Sequence, residues 1–114
     1  MLYNDHFILD RVKPVKNYSG DRTIDGIVVT VDGVPLEPCL QVHEFTDQGF
    51  EWAYNGDEPR QLALALLVDH GLEPAQAIKL SQPFMQNVTS KLDNTWLLTT
   101  LDINDELAKL DEVR

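Results

Sequence analysis

The early part of the chain alternates apolar and polar residues with the period of a β-strand. Residues 27–31 are β-branched throughout and end at Asp32-Gly33, a dipeptide typical of tight hairpin turns because glycine accepts positive φ. Pro35 follows, and since proline donates no ladder hydrogen bond, we expect the returning strand to be short, bulged or at an edge. The pattern predicts a β-meander over residues 21–56.

Three aromatic residues, Phe50, Trp52 and Tyr54, occupy every second position just before a turn signal. On a strand they would share one face, with Glu51 and Ala53 on the other. That face is either a stacking surface for nucleic-acid bases or a core face packed on the following helix. The acidic character of the chain, and the absence of Arg and Lys between the aromatic residues, favour the core face.

The segment that follows has the pattern of a buried helix. Asp57 is a candidate N-cap, and Pro59 falls in the first turn, where its missing N–H costs nothing. Every residue from 62 to 68 is apolar, which indicates a helix that is buried on all sides. His70-Gly71 predicts its end, because glycine readily adopts the left-handed conformation that terminates a helix.

A second helical segment opens at Glu73-Pro74. It carries a core-facing stripe in which apolar residues recur every four positions: Leu80, Phe84, Val88 and Leu92. Pro83 interrupts this stripe, and a proline in a helix interior costs about 3 kcal/mol. We therefore expect a kink, or a break at which Ser81 caps a new turn, within a helical hairpin over residues 57–92.

The last third of the chain adds a strand over residues 94–99 and an acidic helix over residues 102–112. Asp102 is expected to cap this helix, and three of its apolar residues are expected to face inward: Ile103, Leu107 and Leu110. An N-terminal strand or arm over residues 1–20 completes the set. Together these elements predict a single α+β domain over residues 1–114, with a small antiparallel sheet of about four strands packed against three or four helices.

The net charge of the chain excludes more classes of function than its overall composition does. The 114-residue chain is ordinary for a globular protein, with 43% hydrophobic and 25% charged residues. Nineteen acidic residues oppose nine basic ones, for a net charge of −10. Such a field repels nucleic-acid phosphates and anionic membranes, so we expect direct binding to neither. It favours a protein partner with a basic surface, or mimicry of nucleic acid.

The sequence also predicts no targeting segment. The first residues carry no basic region and only a short apolar run, so we expect no signal peptide. No stretch approaches the ~18 apolar residues of a membrane-spanning helix. The single Cys39 cannot form an internal disulfide and fits a reducing compartment. These features predict a cytoplasmic protein.

Three groups of residues occur together in this chain: Asp21-Arg22-Thr23, residues 29–33 with Pro35-Leu36, and the run from Gly49 through Trp52 and Pro59 to Leu64. Their combination resembles a family of small prokaryotic and phage proteins with the signature Gly-Phe-Glu-Trp-Gly-Tyr-Gly-Gly-x-Gly-Pro-x-Gln-Leu-Ala. The resemblance extends from about residue 21 to residue 98. The family is a domain of unknown function, so the resemblance implies no catalytic residue. Its occurrence in phages and mobile elements implies a role in the contest between phage and host, within the host cytoplasm.

The chain departs from that signature at Ala53, Asn55 and Glu58, where the family usually has glycine. A glycine-rich loop that leads into a helix would suit phosphate, because free N–H groups and the helix dipole both favour an anion there. Here Asp57 and Glu58 occupy that position, and a phosphate would meet like charge. We therefore expect no phosphate site.

Residue types that carry catalysis or bind metals do not converge in the sequence. Cys39 and His43 would lie about 13 Å apart along a regular strand, too far for a nucleophile–base pair, so we interpret them as a buried Cys and a surface His. Asp69 and His70 are helix neighbours whose side chains point apart. One Cys and three dispersed His do not supply a zinc site. We predict no catalytic residue, no metal and no cofactor.

Two functions of different classes remain open. The first is a non-enzymatic acidic binding protein, in its sharper form an anti-CRISPR-like inhibitor of a host defence complex that handles nucleic acid. Its candidate partner-binding residues lie in the last 22 residues, the most acidic stretch: Asp93, Asp102, Asp105, Glu106, Asp111 and Glu112. The alternative is a small ligand-binding domain or enzyme of unknown substrate, with a pocket near Glu51, Tyr54 and Gln61. A continuous acidic face favours the first, and a pocket with convergent carboxylates the second.

Overall fold

A computed structural model describes residues 14–113, with side chains through residue 111, and confirms the α+β class. The strands are β1 (Asn17–Thr23), β2 (Gly26–Val31), β3 (Val34–Pro35) and β4 (Trp96–Thr99). The helices are α1 (Asp57–His70), α2 (Pro74–Asn87) and α3 (Thr100–Val113), with a 3₁₀ turn at Thr89–Lys91. All strand pairs are antiparallel, in the order β3-β2-β1-β4. Most of the N-terminal arm expected over residues 1–20 lies outside the described residues, and its last part, from residue 17, begins β1.

The hairpin between β2 and β3 forms where Asp32-Gly33 predicts it. Asp32 and Gly33 have φ values of 50° and 84°. Both central residues of the turn therefore have the positive φ that the type I′ turn of a two-residue hairpin requires. The returning strand has only two residues and ends at Pro35, which confirms the expected limit on its length. Beyond it, the Leu36 amide donates one further bond to the Val29 carbonyl at 3.0 Å.

The third strand expected around Phe50, Trp52 and Tyr54 is wrong, and the meander does not reach residue 56. No strand occurs in the described chain between β3 and β4. Ala53 has a φ of 78°, which breaks the extended backbone that alternation assumes. The Ala53 amide bonds the Thr89 carbonyl at 2.9 Å, so this segment packs on the 3₁₀ turn instead of a sheet. The aromatic face is consequently divided: Trp52 is 0% exposed, whereas Tyr54 is 44% exposed.

Helix α1 forms the centre of the core. Residues 62–67 are fully buried, in agreement with their all-apolar pattern. Gly71 ends the helix with a φ of 116° and bonds the Val68 carbonyl at 3.0 Å. At the other end, however, Gly56 is the N-cap, because the Arg60 amide bonds its carbonyl at 3.1 Å. The expected capping role of Asp57 is therefore wrong: it is the first helical residue.

Helix α2 begins at Pro74 as predicted and continues through Pro83, so the break, one of the two expected outcomes beside a kink, does not occur. The proline leaves the Lys79 carbonyl without an intrahelical donor, and Lys79 is exposed, so water can take that bond. Ser81 does not cap a new turn. Its hydroxyl donates to the Ile78 carbonyl at 2.7 Å and accepts from Arg60 Nε at 2.9 Å, which ties α2 to α1.

Helix α3 starts two residues earlier than expected, because Thr99 is its capping residue. The Asp102 carboxylate accepts from the Thr99 amide at 2.9 Å, and Thr99 Oγ1 accepts from the Asp102 amide at 3.3 Å. This reciprocal pair is a capping box that fixes the junction between β4 and α3. Ile103 and Leu110 are buried, and Leu107 packs against the core from a partly buried position, as the periodicity predicts.

None of the helices within residues 14–113 has both the length and the apolar character needed to cross a lipid bilayer.

Candidate functional site

A cleft of about 380 Å³ opens between the end of α2, β4 and α3. We call it the acidic cleft, and its lining combines apolar and charged side chains: Phe84, Val88, Leu97, Leu98, Asp102, Ile103, Asp105, Glu106 and Lys109. Phe84 and Ile103 are buried in the floor, while Leu97 is 63% exposed. An exposed leucine beside carboxylates gives the cleft both an apolar contact and a negative rim.

The capping box at the start of α3 determines which carboxylates are available in the cleft. Asp102 accepts hydrogen bonds from Thr99 and is therefore used to hold the helix start. The carboxylates of Asp105 and Glu106, one turn further, make no hydrogen bond or ion pair among the described residues. Lys109 lines the cleft but forms no salt bridge with either of them in this part of the chain. Asp105 and Glu106 are thus free to receive a cation.

The structure brings together three of the six acidic residues expected to bind a partner: Asp102, Asp105 and Glu106. Asp93 is exposed after the 3₁₀ turn and does not line the cleft. Asp111 lines a separate groove between α2 and α3, beside Leu72 and Leu107. The side chain of Glu112 lies outside the described residues. The expected acidic region is therefore divided over more than one surface.

The residues of the alternative pocket are engaged in different local structures. Gln61 is buried and holds the loop before it: its Oε1 accepts from the Phe45 amide at 2.7 Å, and its Nε2 donates to the Pro38 and His43 carbonyls at 2.7 and 3.0 Å. These hydrogen bonds give Gln61 a structural role, which is to hold in place the loop that precedes α1.

Glu51 and Tyr54 have partners of their own. Glu51 pairs with Arg22 at 2.7 Å and lines an open groove of about 750 Å³ beside β2, whose lining includes neither Tyr54 nor Gln61. Tyr54 donates to Glu58 at 2.8 Å. The three residues of the alternative site therefore do not converge on the groove that Glu51 lines.

The Tyr54–Glu58 pair is not tuned for proton transfer. Desolvation, followed by the hydrogen bond to Glu58, raises the pKa of Tyr54 to about 12. The same hydrogen bond, with another from Thr46, lowers the pKa of the Glu58 carboxyl. At neutral pH the phenol is protonated and the carboxylate is a weak base, so neither group is poised near neutrality for acid–base work.

Cys39 and His43 flank a turn at residues 40–42, so the strand geometry assumed for them is wrong. The interpretation of a buried Cys and a surface His is confirmed. The His43 amide bonds the Cys39 carbonyl at 3.3 Å, and the imidazole contacts the Phe45 ring at 4.4 Å between centroids. Burial raises the pKa of the Cys39 thiol, which keeps it in its unreactive form.

Sequence reasoning missed a second cavity, of about 300 Å³, at the carboxyl end of α1. Asp69 there accepts from the Tyr18 hydroxyl at 2.7 Å and from Lys16 Nζ at 3.2 Å. His70 Nε2 lies 2.8 Å from Asn104 Oδ1, which links α1 to α3. No local signal could reveal this cluster, because Tyr18 and Asp69 are 51 positions apart in the chain.

Within the described part of the chain, no three His, Cys, Asp or Glu side chains are grouped so as to hold a metal ion. No match to the chain was found among curated proteins or among solved structures. Residues 18–109 do match a family, and this range contains β2, β3 and β4, all three helix starts and every residue that lines the acidic cleft. The chain therefore belongs to DUF6166, a family of unknown function.

Proposed function

We propose that the protein is a non-enzymatic binding protein that docks a basic protein surface in the acidic cleft. The observation that carries this proposal is the pairing of two unengaged carboxylates, Asp105 and Glu106, with the exposed side chain of Leu97. An arginine or lysine of a partner would lay its methylene stem on the leucine and present its charged end to the carboxylates.

The charge of the whole molecule supports the same partner class. A net charge of −10 attracts a basic surface over long range and repels competing phosphates. In its sharper form, the proposal is that the protein acts in the host cytoplasm as a phage or mobile-element inhibitor, anti-CRISPR-like, that occupies the basic channel of a complex that handles nucleic acid. The acidic cleft would then take the place of a phosphate backbone.

Two matched charge variants test the proposal. Asp105→Asn with Glu106→Gln removes the two cleft carboxylates, while Asp25→Asn with Glu44→Gln removes the same charge from exposed positions outside it. Fluorescence anisotropy would measure the affinity of each for a labelled arginine-rich peptide. We expect the cleft variant to bind about tenfold more weakly than the wild type, because charge-assisted hydrogen bonds are lost.

The control variant should bind within about twofold of the wild type, because its charges are distant and screened. Equal weakening of the two variants would mean that net charge alone attracts the peptide, and the cleft would have no specific role. Binding of a glutamate-rich peptide as tightly as the arginine-rich one would also contradict the proposal.

A further inference from the structure

The open groove beside β2 follows a sheet edge that β3 leaves uncovered. Its volume is about 750 Å³, and it is lined by residues 26–29 of β2, by residues 48–51 of the loop before α1, and by Pro35 and Leu36. Successive side chains of a strand point to opposite faces, so four consecutive strand residues can line one cavity only at the edge of the strand. The groove therefore opens on the backbone of β2.

The backbone N–H and C=O of Ile27 point towards this edge. The Val29 carbonyl accepts from the Leu36 amide at 3.0 Å, on the side of β3, and alternate residues of a strand direct their backbone groups to the same edge. β3 ends at Pro35, so no strand pairs with Ile27 on that side, and no backbone hydrogen bond joins it to the loop among the described residues. Ile27 is only partly buried, so one donor and one acceptor are available to an extended chain.

The walls of the groove suit apolar side chains. Ile27, Leu36 and Phe50 pack against the core and line the groove, whereas Val28 is 48% exposed on the opposite face of β2. In a strand added at this edge, the residue opposite Ile27 would place its side chain in the groove, and the next residue would lie beside Val28. The groove therefore favours β-branched apolar residues at alternate positions of the added strand.

The charge around the groove is negative. Glu51 lines it, and three exposed acidic residues adjoin lining residues in the sequence: Asp25, Glu37 and Asp47. Neither the lining residues nor those that adjoin them in sequence include an Arg or Lys. The Glu51 side chain is 34% exposed, and its hydrogen bonds with Arg22 and the Trp52 amide both use Oε1. Oε2 makes no hydrogen bond within residues 14–113, so it is available to a basic side chain.

We propose that the groove beside β2 binds an extended peptide segment of a partner protein, with apolar residues at alternate positions and a basic residue near them. The segment lies antiparallel to β2, in the place that a longer β3 would have. One of its residues exchanges both backbone hydrogen bonds with Ile27 and places an apolar side chain beside Leu36 and Phe50. The basic residue pairs with Glu51. This site is separate from the acidic cleft, because no residue lines both.

A capped seven-residue peptide, in which valine alternates with threonine between terminal lysines, tests the proposal. Titration into the ¹⁵N-labelled protein should be saturable, with the largest shifts at the amides of Ile27, Val29 and Gly49, which line the groove. Hydrogen exchange of the Ile27 amide should slow in the complex, because the peptide supplies the acceptor that this amide lacks in the free protein. A peptide with terminal glutamates should bind at least about fivefold more weakly, because attraction becomes repulsion.

N-methylation of the peptide distinguishes strand pairing from other contacts. A methyl group on the nitrogen of the central valine removes the donor that faces β2, and should weaken binding about tenfold. A methyl group on the neighbouring threonine should weaken binding by less than about threefold, because that N–H points away from β2 in the added strand.

Two matched variants of the protein test the charge pairing. Glu51→Gln removes the charge but retains an acceptor for Arg22, and it should weaken binding of the lysine peptide about threefold, the contribution of a partly exposed ion pair. Glu44→Gln makes the same change at an exposed position outside the groove and should leave the affinity unchanged. Equal affinities of the two variants would contradict the pairing with Glu51.

The proposal is overturned if the lysine peptide does not bind at millimolar concentration, if its shifts centre on the acidic cleft, or if the two methylated peptides bind equally. It is also overturned if sedimentation shows a dimer of the free protein in which the Ile27 amide is already protected, because a second copy would then occupy the edge. A saturating arginine-rich peptide, directed at the acidic cleft, should not displace the lysine peptide. Failure of this proposal therefore leaves the docking proposal standing, and the reverse is also true.

Discussion

At the scale of single residues, two tryptophans organise the junction between the sheet and the strandless segment. Trp52 and Trp96 meet edge to face, with ring centroids 5.7 Å apart. Gly20 lies beneath Trp96, where a Cβ would overlap the indole ring, so glycine is required for close packing at this position of β1. Arg22 covers Trp52 from 4.5 Å and bonds its carbonyl.

Truncation of Trp52 tests its place in this cluster. Trp52→Ala should lower the free energy of unfolding by about 3–5 kcal/mol, because a fully buried indole is replaced by a cavity. Urea denaturation followed by circular dichroism would measure the change. Tyr54→Ala is the matched comparison and should cost less, because that ring is 44% exposed. Equal losses for the two variants would mean that the aromatic segment acts as one face, as alternation alone predicts.

The Tyr54–Glu58 hydrogen bond predicts a pH effect of defined sign. Because this bond lowers the pKa of Glu58 in the folded protein, it stabilises the fold above the unfolded pKa of the carboxyl. That stabilisation is lost as the pH falls through the lowered, folded pKa. Tyr54→Phe should therefore move the folded pKa of Glu58 upward, towards its ordinary value. NMR titration of the Glu58 carboxyl carbon would measure it, and a downward or absent shift would contradict the assignment.

At the scale of elements, short-range signals determine most boundaries. Gly71 ends α1, Pro74 opens α2, and the Thr99–Asp102 capping box starts α3 at the point where β4 ends. The box also bears on the proposed docking site, because it fixes the start of the helix that carries Asp105 and Glu106 into the lining of the acidic cleft.

The capping box predicts the effect of removing one hydroxyl. Thr99→Ala should lower the free energy of unfolding by about 1 kcal/mol, because the Asp102 amide loses its side-chain acceptor. It should also weaken peptide binding in the acidic cleft, since the first turn of α3 frays. Thermal denaturation and peptide titration would measure these effects. Unchanged stability would show that packing of Ile103 and Leu110, and not the cap, fixes the helix start.

The sequence correctly predicts the elements whose signals lie within a few residues of one another. The prediction fails where contacts between residues far apart in the chain determine the backbone conformation. Asp32-Gly33 forms its hairpin as expected, because the turn is encoded by the two residues themselves. The segment around Ala53 alternates like a strand but is held by Thr89, 36 positions away, which no local pattern contains. Likewise, Asp105 and Glu106 line the acidic cleft from α3, whereas Leu97 reaches the same cleft from β4, and no local pattern contains that combination.

At the scale of the whole molecule, negative charge is the dominant feature of the exterior. With a net charge of −10, the long-range field acts before any contact is made. In the proposed function, the field selects the class of partner and the acidic cleft holds it. The two contributions should separate in kinetics, because long-range charge affects the association rate and close contacts affect the dissociation rate.

Salt dependence tests this separation. The association rate with an arginine-rich peptide should fall by about tenfold or more between about 0.05 M and 0.5 M salt, as the Debye length shortens. The double variant Asp105→Asn, Glu106→Gln should mainly raise the dissociation rate. Stopped-flow fluorescence would measure both rates. An association rate that is independent of salt would exclude steering by the acidic surface.

The central claim is that the acidic cleft is the docking surface, and NMR mapping of a bound arginine-rich peptide tests it most directly. We predict that the largest chemical-shift changes occur in the methyl groups of Leu97 and Leu98 and the amides of Asp105 and Glu106, which line the cleft. These changes should disappear when both carboxylates are neutralised. Changes centred on the groove beside β2 near Glu51, or spread evenly over all exposed acidic residues, would contradict the claim.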